Sequence, residues 1–125
     1  MIGAIAGDIV GSVFERRPIK TTDFNLINFG CRFTDDTVLI IAVADAILKK
    51  VSYEESIRNW GLKNPNAGYG GSFDKWLYSS NPKPYNSWGN GSAMRVIPVG
   101  YAFHNIEDVL LEAERTSVIT HDHPE

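Results

Sequence analysis

The segment that most constrains the fold of this chain is residues 36–49, which is apolar almost without interruption. Its apolar residues are Val38, Leu39, Ile40, Ile41, Ala42, Val43, Ala44, Ala46, Ile47 and Leu48. On a helix they cover nearly the whole circumference, and such a helix is stable only when neighbouring elements surround it. We therefore predict a buried central helix over residues 36–49, around which the rest of the chain packs.

Helical patterns also flank this central segment. Residues 1–15 carry apolar side chains at helical spacing, and their glycines at positions 3, 7 and 11 lie four apart, so we expect close packing against another helix along that side. Further on, Ser52 followed by Glu55 is a capping-box pattern. It predicts a short helix that carries Tyr53, Ile57 and Trp60.

A long segment over residues 61–91 is rich in Gly, Asn, Ser and Pro. Long loops in compact domains are usually functional or disordered, and the aromatic residues of this one argue against disorder. We expect one or two helical turns within it, around Phe73, Trp76 and Leu77.

The last part of the chain predicts two more helices. One begins near Ser92 and is kinked or stopped at Pro98, and Asn105 caps the other. The residues expected to share one face of the last helix are Ile106, Val109, Leu110, Ala113 and Ser117. Because strand-like alternation is almost absent, the predicted fold class is all-α.

Composition and charge exclude several classes of protein. A net charge of −3 leaves no basic stripe to neutralise phosphates, so nucleic acid is not an expected partner. The apolar N-terminus lacks a basic region and is interrupted by Asp8, so we expect neither a signal sequence nor a membrane anchor. The single cysteine, Cys31, fits a reducing compartment, and we expect a cytoplasmic location.

Two acidic groups come before the central helix. Asp8 and Glu15 are seven residues apart, so on a helix both would project from the same side. The alternative is that Asp8 caps a turn and Glu15 pairs with Arg16 or Arg17 in solvent.

The second acidic group is Thr34-Asp35-Asp36-Thr37, at the start of the central helix. Two carboxylates and two hydroxyls give oxygen donors only, which suit Mg²⁺ or Mn²⁺ better than Zn²⁺. The alternative is an ordinary helix N-terminus, with Thr34 as cap and the aspartates facing the helix dipole.

A glycine-rich loop precedes the helix expected near Ser92. In Gly89-Asn90-Gly91-Ser92, the glycines allow close backbone approach and the free N–H groups could hold an anion. The alternative is a flexible loop followed by a structural arginine, Arg95. The spacing matches neither a nucleotide-triphosphate loop nor a dinucleotide fingerprint. Near the end of the chain, His121 and His123 are two residues apart, which is unfavourable for a zinc site on one helical face.

Taken together and in this order, these motifs resemble the ADP-ribosylglycohydrolase family, of the dinitrogenase-reductase-activating glycohydrolase type. The motifs that carry the resemblance are GDIVGSVFE at 7–15, FTDDT at 33–37, GYGGSF at 68–73, GNGSAMR at 89–95 and TH at 120–121. The resemblance implies an all-α orthogonal helical bundle with a binuclear Mg²⁺ or Mn²⁺ site, which cleaves glycosidic bonds of ADP-ribosylated proteins or of O-acetyl-ADP-ribose.

The resemblance also implies roles for individual residues. Thr34, Asp35 and Asp36 would be metal ligands, and Glu15, with Asp35 and Asp36, would form the catalytic group. The residues implied to bind substrate are Tyr69, Gly70, Gly71, Asn90, Gly91, Ser92 and His121.

One departure from the family pattern affects what this chain can do. The family has a second acidic cluster in its C-terminal half, whereas the aspartates after Asp36 are isolated here, at positions 45, 74, 108 and 122. We therefore expect residues 1–125 to be the N-terminal half of a single domain, apparently truncated, with an incomplete second metal site. The helix-start pattern of residues 122–125 supports that expectation.

Two other functions remain open from the sequence. The chain could be a non-catalytic ADP-ribose-binding fragment, or a half-domain that needs a complementary C-terminal half. The latter predicts self-association, because an unpaired helix over residues 36–49 would expose a large apolar patch.

Overall fold

The computed structural model of this protein describes residues 1–123, which contain seven helices and no strand. The helices are α1 (Ile2–Gly11), α2 (Asp35–Lys49), α3 (Tyr53–Lys63), α4 (Gly71–Leu77), α5 (Gly91–Arg95), α6 (Ile97–Ala102) and α7 (Ile106–Ser117). The all-α class predicted from the sequence is confirmed.

Helix α2 lies at the centre of the fold, as predicted. Its residues Leu39, Ala42 and Val43 are at most 1% exposed and form the core together with side chains from α3, α4 and α6. Those partner residues are Ile57, Phe73, Trp76, Leu77 and Val99. Because α2 is covered in this way, the predicted apolar patch on an unpaired helix 36–49 is wrong.

Local signals place the ends of three helices where the sequence predicts them. The side chains of Thr34, Ser52 and Asn105 accept hydrogen bonds from backbone N–H groups in the first turns of α2, α3 and α7. At the other end of α2, Lys50 adopts a left-handed conformation with φ of 56°, which ends the helix.

Three details of the helix predictions are corrected. The first helix ends at Gly11 rather than near residue 15, and a Cβ added at Gly3, Gly7 or Gly11 would have no neighbour within 4 Å, so these glycines do not pack closely in the described part of the chain. The helix near Ser92 ends at Arg95, and a new helix, α6, begins with Pro98 in its first turn.

The third detail is the face of α7. Val109 and Ala113 pack against the core as expected, but Ile106 and Leu110 of the same predicted face are 62% and 63% exposed. The C-terminal helix-start pattern is untested: Asp122 and His123 are not helical, and residues 124–125 lie outside the described part.

One continuous stretch of exposed apolar residues lies before α2. No residue of α1 is buried, and the exposed apolar residues of the loop that follows it are Ile19, Phe24, Leu26, Ile27, Phe29 and Phe33. Among the described residues, no helix combines the length and hydropathy needed to cross a bilayer.

Candidate functional site

The N-terminus of α2 is bound by a carboxylate from α1. The backbone N–H groups of Thr34 and Thr37 donate to Asp8 Oδ2 over 2.8 and 3.2 Å, and both threonine hydroxyls donate to the same carboxylate. Thr34 Oγ1 also accepts a bond from Asp36 N at 3.3 Å. Asp8 therefore acts as a second cap for α2, provided by a residue that is distant in the sequence.

The carboxylates around this N-terminus repel one another. Burial raises the pKa of Asp35 to about 6, with further contributions from Asp36, Glu15 and Asp8. The pKa of Asp36 is also raised, by burial first and then by Asp8 and Glu15. The side chain of Glu15 thus lies within electrostatic range of both aspartates, although it is on an exposed bend after α1 rather than on the helix.

Glu15 does not form the solvent-exposed ion pair with Arg16 or Arg17 that is the alternative from the sequence. The ion pairs within residues 1–123 are Lys49–Asp45 and Arg115–Glu112, so Glu15 is paired with neither Arg16 nor Arg17. Together with those two arginines and Arg32, it borders a shallow cavity of about 280 Å³.

The shifted pKa of Asp35 predicts how replacing this carboxyl changes stability. The folded protein holds the Asp35 proton more tightly than the unfolded chain, so the stability this group contributes is full below about pH 4 and is lost as the pH rises through about 6. We expect Asp35→Asn to raise the free energy of unfolding at pH 7 by about 1 kcal/mol, after allowance for solvent screening of a half-exposed group.

Urea denaturation in a chelating buffer from pH 4 to 8 measures this difference, with Asp74→Asn on exposed α4 surface as the control. The difference in the free energy of unfolding between Asp35→Asn and the unmodified protein should approach zero towards pH 4. A gap that is independent of pH would contradict the assignment of the shift to Asp35.

The oxygen donors at the N-terminus of α2 are of the type that a hard divalent cation prefers, but they are too few to surround one. The pKa values of Asp35 and Asp36 are raised by burial and by neighbouring carboxylates, and a hard cation such as Mg²⁺ or Mn²⁺ would relieve that repulsion. Within residues 1–123, however, no group of three His, Cys, Asp or Glu side chains is arranged to hold a metal. Since Mg²⁺ commonly takes one or two carboxylates and keeps several waters, the pair Asp35 and Asp36 is a partial site.

A cavity of about 510 Å³ joins the acidic turn to the glycine-rich loop. Its volume is in the range of small-molecule sites, about 300–1,000 Å³. The predicted site residues that line it are Asp35, Gly70, Gly71, Asn90, Gly91 and His121. The predicted residues Glu15, Thr34, Asp36, Tyr69 and Ser92 are not part of the lining.

Tyr69 lies directly behind this lining. Its ring packs on Phe73 with centroids 5.2 Å apart, and its pKa is raised to about 12, first by burial and then by the charge of Asp35. At Gly68 the backbone has a φ of +105°, and a Cβ added there would lie 3.9 Å from Asp35 Oδ1. A left-handed glycine therefore brings this loop next to Asp35.

The glycine-rich loop is held differently from what the sequence predicts. Helix α5 has only five residues, so its dipole is small, and the loop amides rather than a long helix would have to hold an anion. A Cβ added at Gly91 would lie 3.6 Å from His121 Cε1. His121 Nε2 is 2.9 Å from the carbonyl oxygen of Gly89, which places this histidine against the loop.

Sequence reasoning missed part of the cavity. Residues 85–88 line it, and Trp88 is 91% exposed there, yet none of these residues was assigned to the site. The available signal was the concentration of aromatic residues in the 61–91 segment. Arg95, treated above only as a possible structural residue, also contributes to the lining although its side chain is fully buried.

The sequence of this chain is similar to those of known proteins of one family. The family model described as ADP-ribosylglycohydrolase matches residues 1–125. ADP-ribosylhydrolase ARH3 of Xenopus tropicalis is 28% identical over 97% of this chain and 43% of its own length. The human protein of the same name is also 28% identical, over 97% of this chain and 43% of its own length. The chain thus spans less than half the length of these relatives.

Proposed function

We propose that this chain, which belongs to the ADP-ribosylglycohydrolase family, forms the N-terminal half of a site that hydrolyses the glycosidic bond of an ADP-ribose conjugate. The observation that carries the proposal is the shared cavity: Asp35, from the acidic turn, lines the same space as the 89–91 loop and His121. A hydrolytic group and an anion-binding loop facing one cavity suit a substrate with a sugar at one end and phosphates in the middle.

Asp35 and Asp36 would hold Mg²⁺ or Mn²⁺, and Thr34 is less available because its hydroxyl already donates to Asp8 and accepts from Asp36 N. When bound, the cation would supply a positive charge that orients the ribose hydroxyls and polarises water. Cleavage of a glycosidic bond passes through an oxocarbenium-like state, which a nearby carboxylate stabilises. Glu15 is our candidate for that carboxylate, because its charge contributes to the raised pKa values of both Asp35 and Asp36.

The rest of the cavity would bind the parts of the substrate away from the reacting carbon. Backbone N–H groups of Asn90 and Gly91 can donate to phosphate oxygens, whereas the N–H of Gly89 already donates to Ser87 Oγ at 3.2 Å, and His121 borders the same loop. The indole of Trp88 gives an exposed flat surface on which an adenine ring can stack. Binding energy gained there would orient the sugar at the acidic turn.

A second candidate function is ADP-ribose binding without turnover. It is favoured by the lack of a three-ligand acidic group within residues 1–123. Hydrolysis, by contrast, would need a complementary segment to complete the site. Such a segment, or a second copy of this chain, would bind at the exposed apolar residues of the loop before α2. With one cysteine in the sequence, we further propose a reducing, cytoplasmic location.

Gly91→Val tests the binding site directly. The added side chain would enter the space between the loop and His121 Cε1, so we expect affinity for ADP-ribose to fall by on the order of 10-fold or more, with little change in stability. Titration of ADP-ribose by calorimetry, with Trp88 fluorescence as a second readout, measures the affinity. Gly100→Val is the matched control, because no atom lies within 4 Å of a Cβ added there.

Equal affinity of Gly91→Val and the unmodified protein would reject the loop as part of the site. The same titration with and without Mg²⁺ separates the two functions. Cation-dependent binding, together with release of ADP-ribose from an ADP-ribosylated peptide, supports the hydrolase. Cation-independent binding without such release supports the binding module.

A further inference from the structure

Arg95 carries a buried charge whose hydrogen bonding is incomplete. Its side chain is 0% exposed, and Nη2 donates to Thr116 O at 2.6 Å and to Thr120 Oγ1 at 2.9 Å. Nε and Nη1 are also buried, and neither has a hydrogen-bond partner in the described part of the chain. Neither of the ion pairs found within residues 1–123 involves Arg95.

This arrangement is costly unless something compensates it. Burial lowers the pKa of Arg95 to about 10, so the guanidinium is still charged at neutral pH. A buried charge without an opposite charge, and with unsatisfied donors, is unfavourable to folding. Because Arg95 lies in the wall of the large cavity, an anionic ligand in that cavity is placed to provide the missing negative charge.

A chain of hydrogen bonds runs from Arg95 to the loop. Thr120 Oγ1 accepts from Arg95 and lies 2.8 Å from His121 Nδ1, while His121 Nε2 lies 2.9 Å from Gly89 O. A carbonyl oxygen can only accept, so Nε2 must carry the proton. In the neutral ring Nδ1 then accepts from the hydroxyl of Thr120, whose remaining lone pairs face Arg95. Each of these hydrogen bonds therefore has a single possible donor and acceptor when the ring is neutral.

The same two segments are joined at two further points. Ser87 N donates to Thr120 O at 3.0 Å, and Asn86 N donates to Asp122 Oδ1 at 2.6 Å. Residues 86–89, which line the cavity, are therefore fixed to residues 120–122, and Arg95 bonds to the first residue of that second segment, Thr120. A change at Arg95 or Thr120 should reach the cavity wall without touching the ligand.

We propose that Arg95 is a positioning residue of this cavity: through Thr120 it fixes His121 in its Nε2–H form against Gly89, and its buried charge is the counter-charge for a diphosphate in the cavity. The identity of the ligand as a diphosphate rests on the proposed function. The hydrogen-bond chain does not, because it exists in the protein without ligand. An arginine that only connected α5 to the end of α7 would need neither the chain to His121 nor unsatisfied donors beside a cavity.

The tautomer of His121 tests the positioning role without any ligand. Nitrogen-15 NMR of the ring should show the Nε2–H form in the unmodified protein, with an Nδ1 signal typical of a nitrogen that accepts a hydrogen bond. In Thr120→Val, where the hydroxyl is lost at nearly constant volume, we expect the Nδ1 signal to move to that of a nitrogen without a donor. The matched control is Thr116→Val, in which the Nδ1 signal should stay: this residue is equally buried, and its hydroxyl bonds only to Ala113 O at 2.8 Å. An Nδ1–H form in the unmodified protein, or an Nδ1 signal that is unchanged in Thr120→Val, would overturn the positioning role.

Binding of inorganic pyrophosphate and of ADP-ribose tests the counter-charge. We expect Arg95→Met to weaken both by on the order of 100-fold, Arg95→Lys to recover part of that loss, and Thr120→Val to weaken both by about 10-fold. Thr116→Val should bind both like the unmodified protein. If Arg95→Met does not fold, the loss of affinity in Arg95→Lys tests the counter-charge, and Thr120→Val tests the positioning role, because it keeps the charge and removes one hydroxyl.

The outcomes separate this inference from the proposed function. Pyrophosphate binding that depends on Arg95, without any ADP-ribose binding, would uphold the counter-charge and reject the ADP-ribose site. Binding of both ligands with equal affinity in the unmodified protein, Arg95→Met and Thr120→Val would reject the inference and leave the proposed function standing.

Discussion

Asp8→Ala is expected to lower the free energy of unfolding by about 3 kcal/mol, since hydrogen bonds to a charged group contribute about 1.5–3 kcal/mol each and several are lost together. The Asp8 carboxylate accepts from the backbone N–H and the hydroxyl of both Thr34 and Thr37. Its removal leaves these groups unpaired at the start of the central helix. Relief of repulsion with Asp35 and Asp36 offsets only part of the loss.

Urea denaturation of purified Asp8→Ala measures the loss in the free energy of unfolding, and amide hydrogen exchange shows which residues are destabilised. Because no residue of α1 is buried, we expect residues 2–11 to exchange faster in Asp8→Ala, while the core of α2 keeps its protection until global unfolding. Asp74→Ala, an exposed carboxylate in the first turn of α4, is the control and should change stability by less than about 1 kcal/mol. Equal losses in the two variants would show that Asp8 is not a cap for α2.

Loss of divalent-cation binding is the second large effect. We expect Asp35→Ala combined with Asp36→Ala to weaken Mg²⁺ or Mn²⁺ binding by at least about 100-fold, because the two carboxylates are the anionic donors proposed at the start of α2. Calorimetric titration of each cation measures the effect. The double variant should be no less stable than the unmodified protein in a chelating buffer, since it removes two carboxyl groups whose pKa values are raised by burial and mutual repulsion.

The chain contains a matched control for that variant. Glu54 and Glu55 are also adjacent carboxylates in the first turn of a helix, α3, and both are exposed. Glu54→Ala combined with Glu55→Ala should leave cation affinity unchanged. Similar affinity in the two double variants would mean that any acidic helix start binds the cation equally, and the proposed site at Asp35 and Asp36 would be wrong.

The parts of the fold that could be predicted from sequence depend on local or periodic signals. The uninterrupted apolar run predicts a buried α2, and Ser52 and Asn105 fix helix starts through bonds to residues only three positions away. Where propensity competes with pattern, the prediction fails: the apolar spacing of residues 1–15 extends beyond Gly11, but the helix does not.

The parts of the site that were missed depend on contacts between distant segments. The bonds from Thr34 and Thr37 to Asp8, and those from residues 86–89 to residues 120–122, join segments far apart in the sequence. No local pattern encodes such pairs, so neither the capping role of Asp8 nor the contribution of residues 85–88 to the cavity could be derived. The roles of Glu15, Asp35 and Asp36 in catalysis stay predictions, supported by the raised pKa values of Asp35 and Asp36, to which the charge of Glu15 contributes.

The measurement that tests the central claim most directly is the location of bound Mn²⁺, read from paramagnetic broadening of backbone amide signals. At low Mn²⁺, the signals of Glu15, Asp35 and Asp36 should disappear together, while those of Glu54 and Glu55 persist. Broadening centred on α3 or α7, or loss of the Asp35 and Asp36 signals with Glu15 unaffected, would contradict a cation held between the bend after α1 and the start of α2.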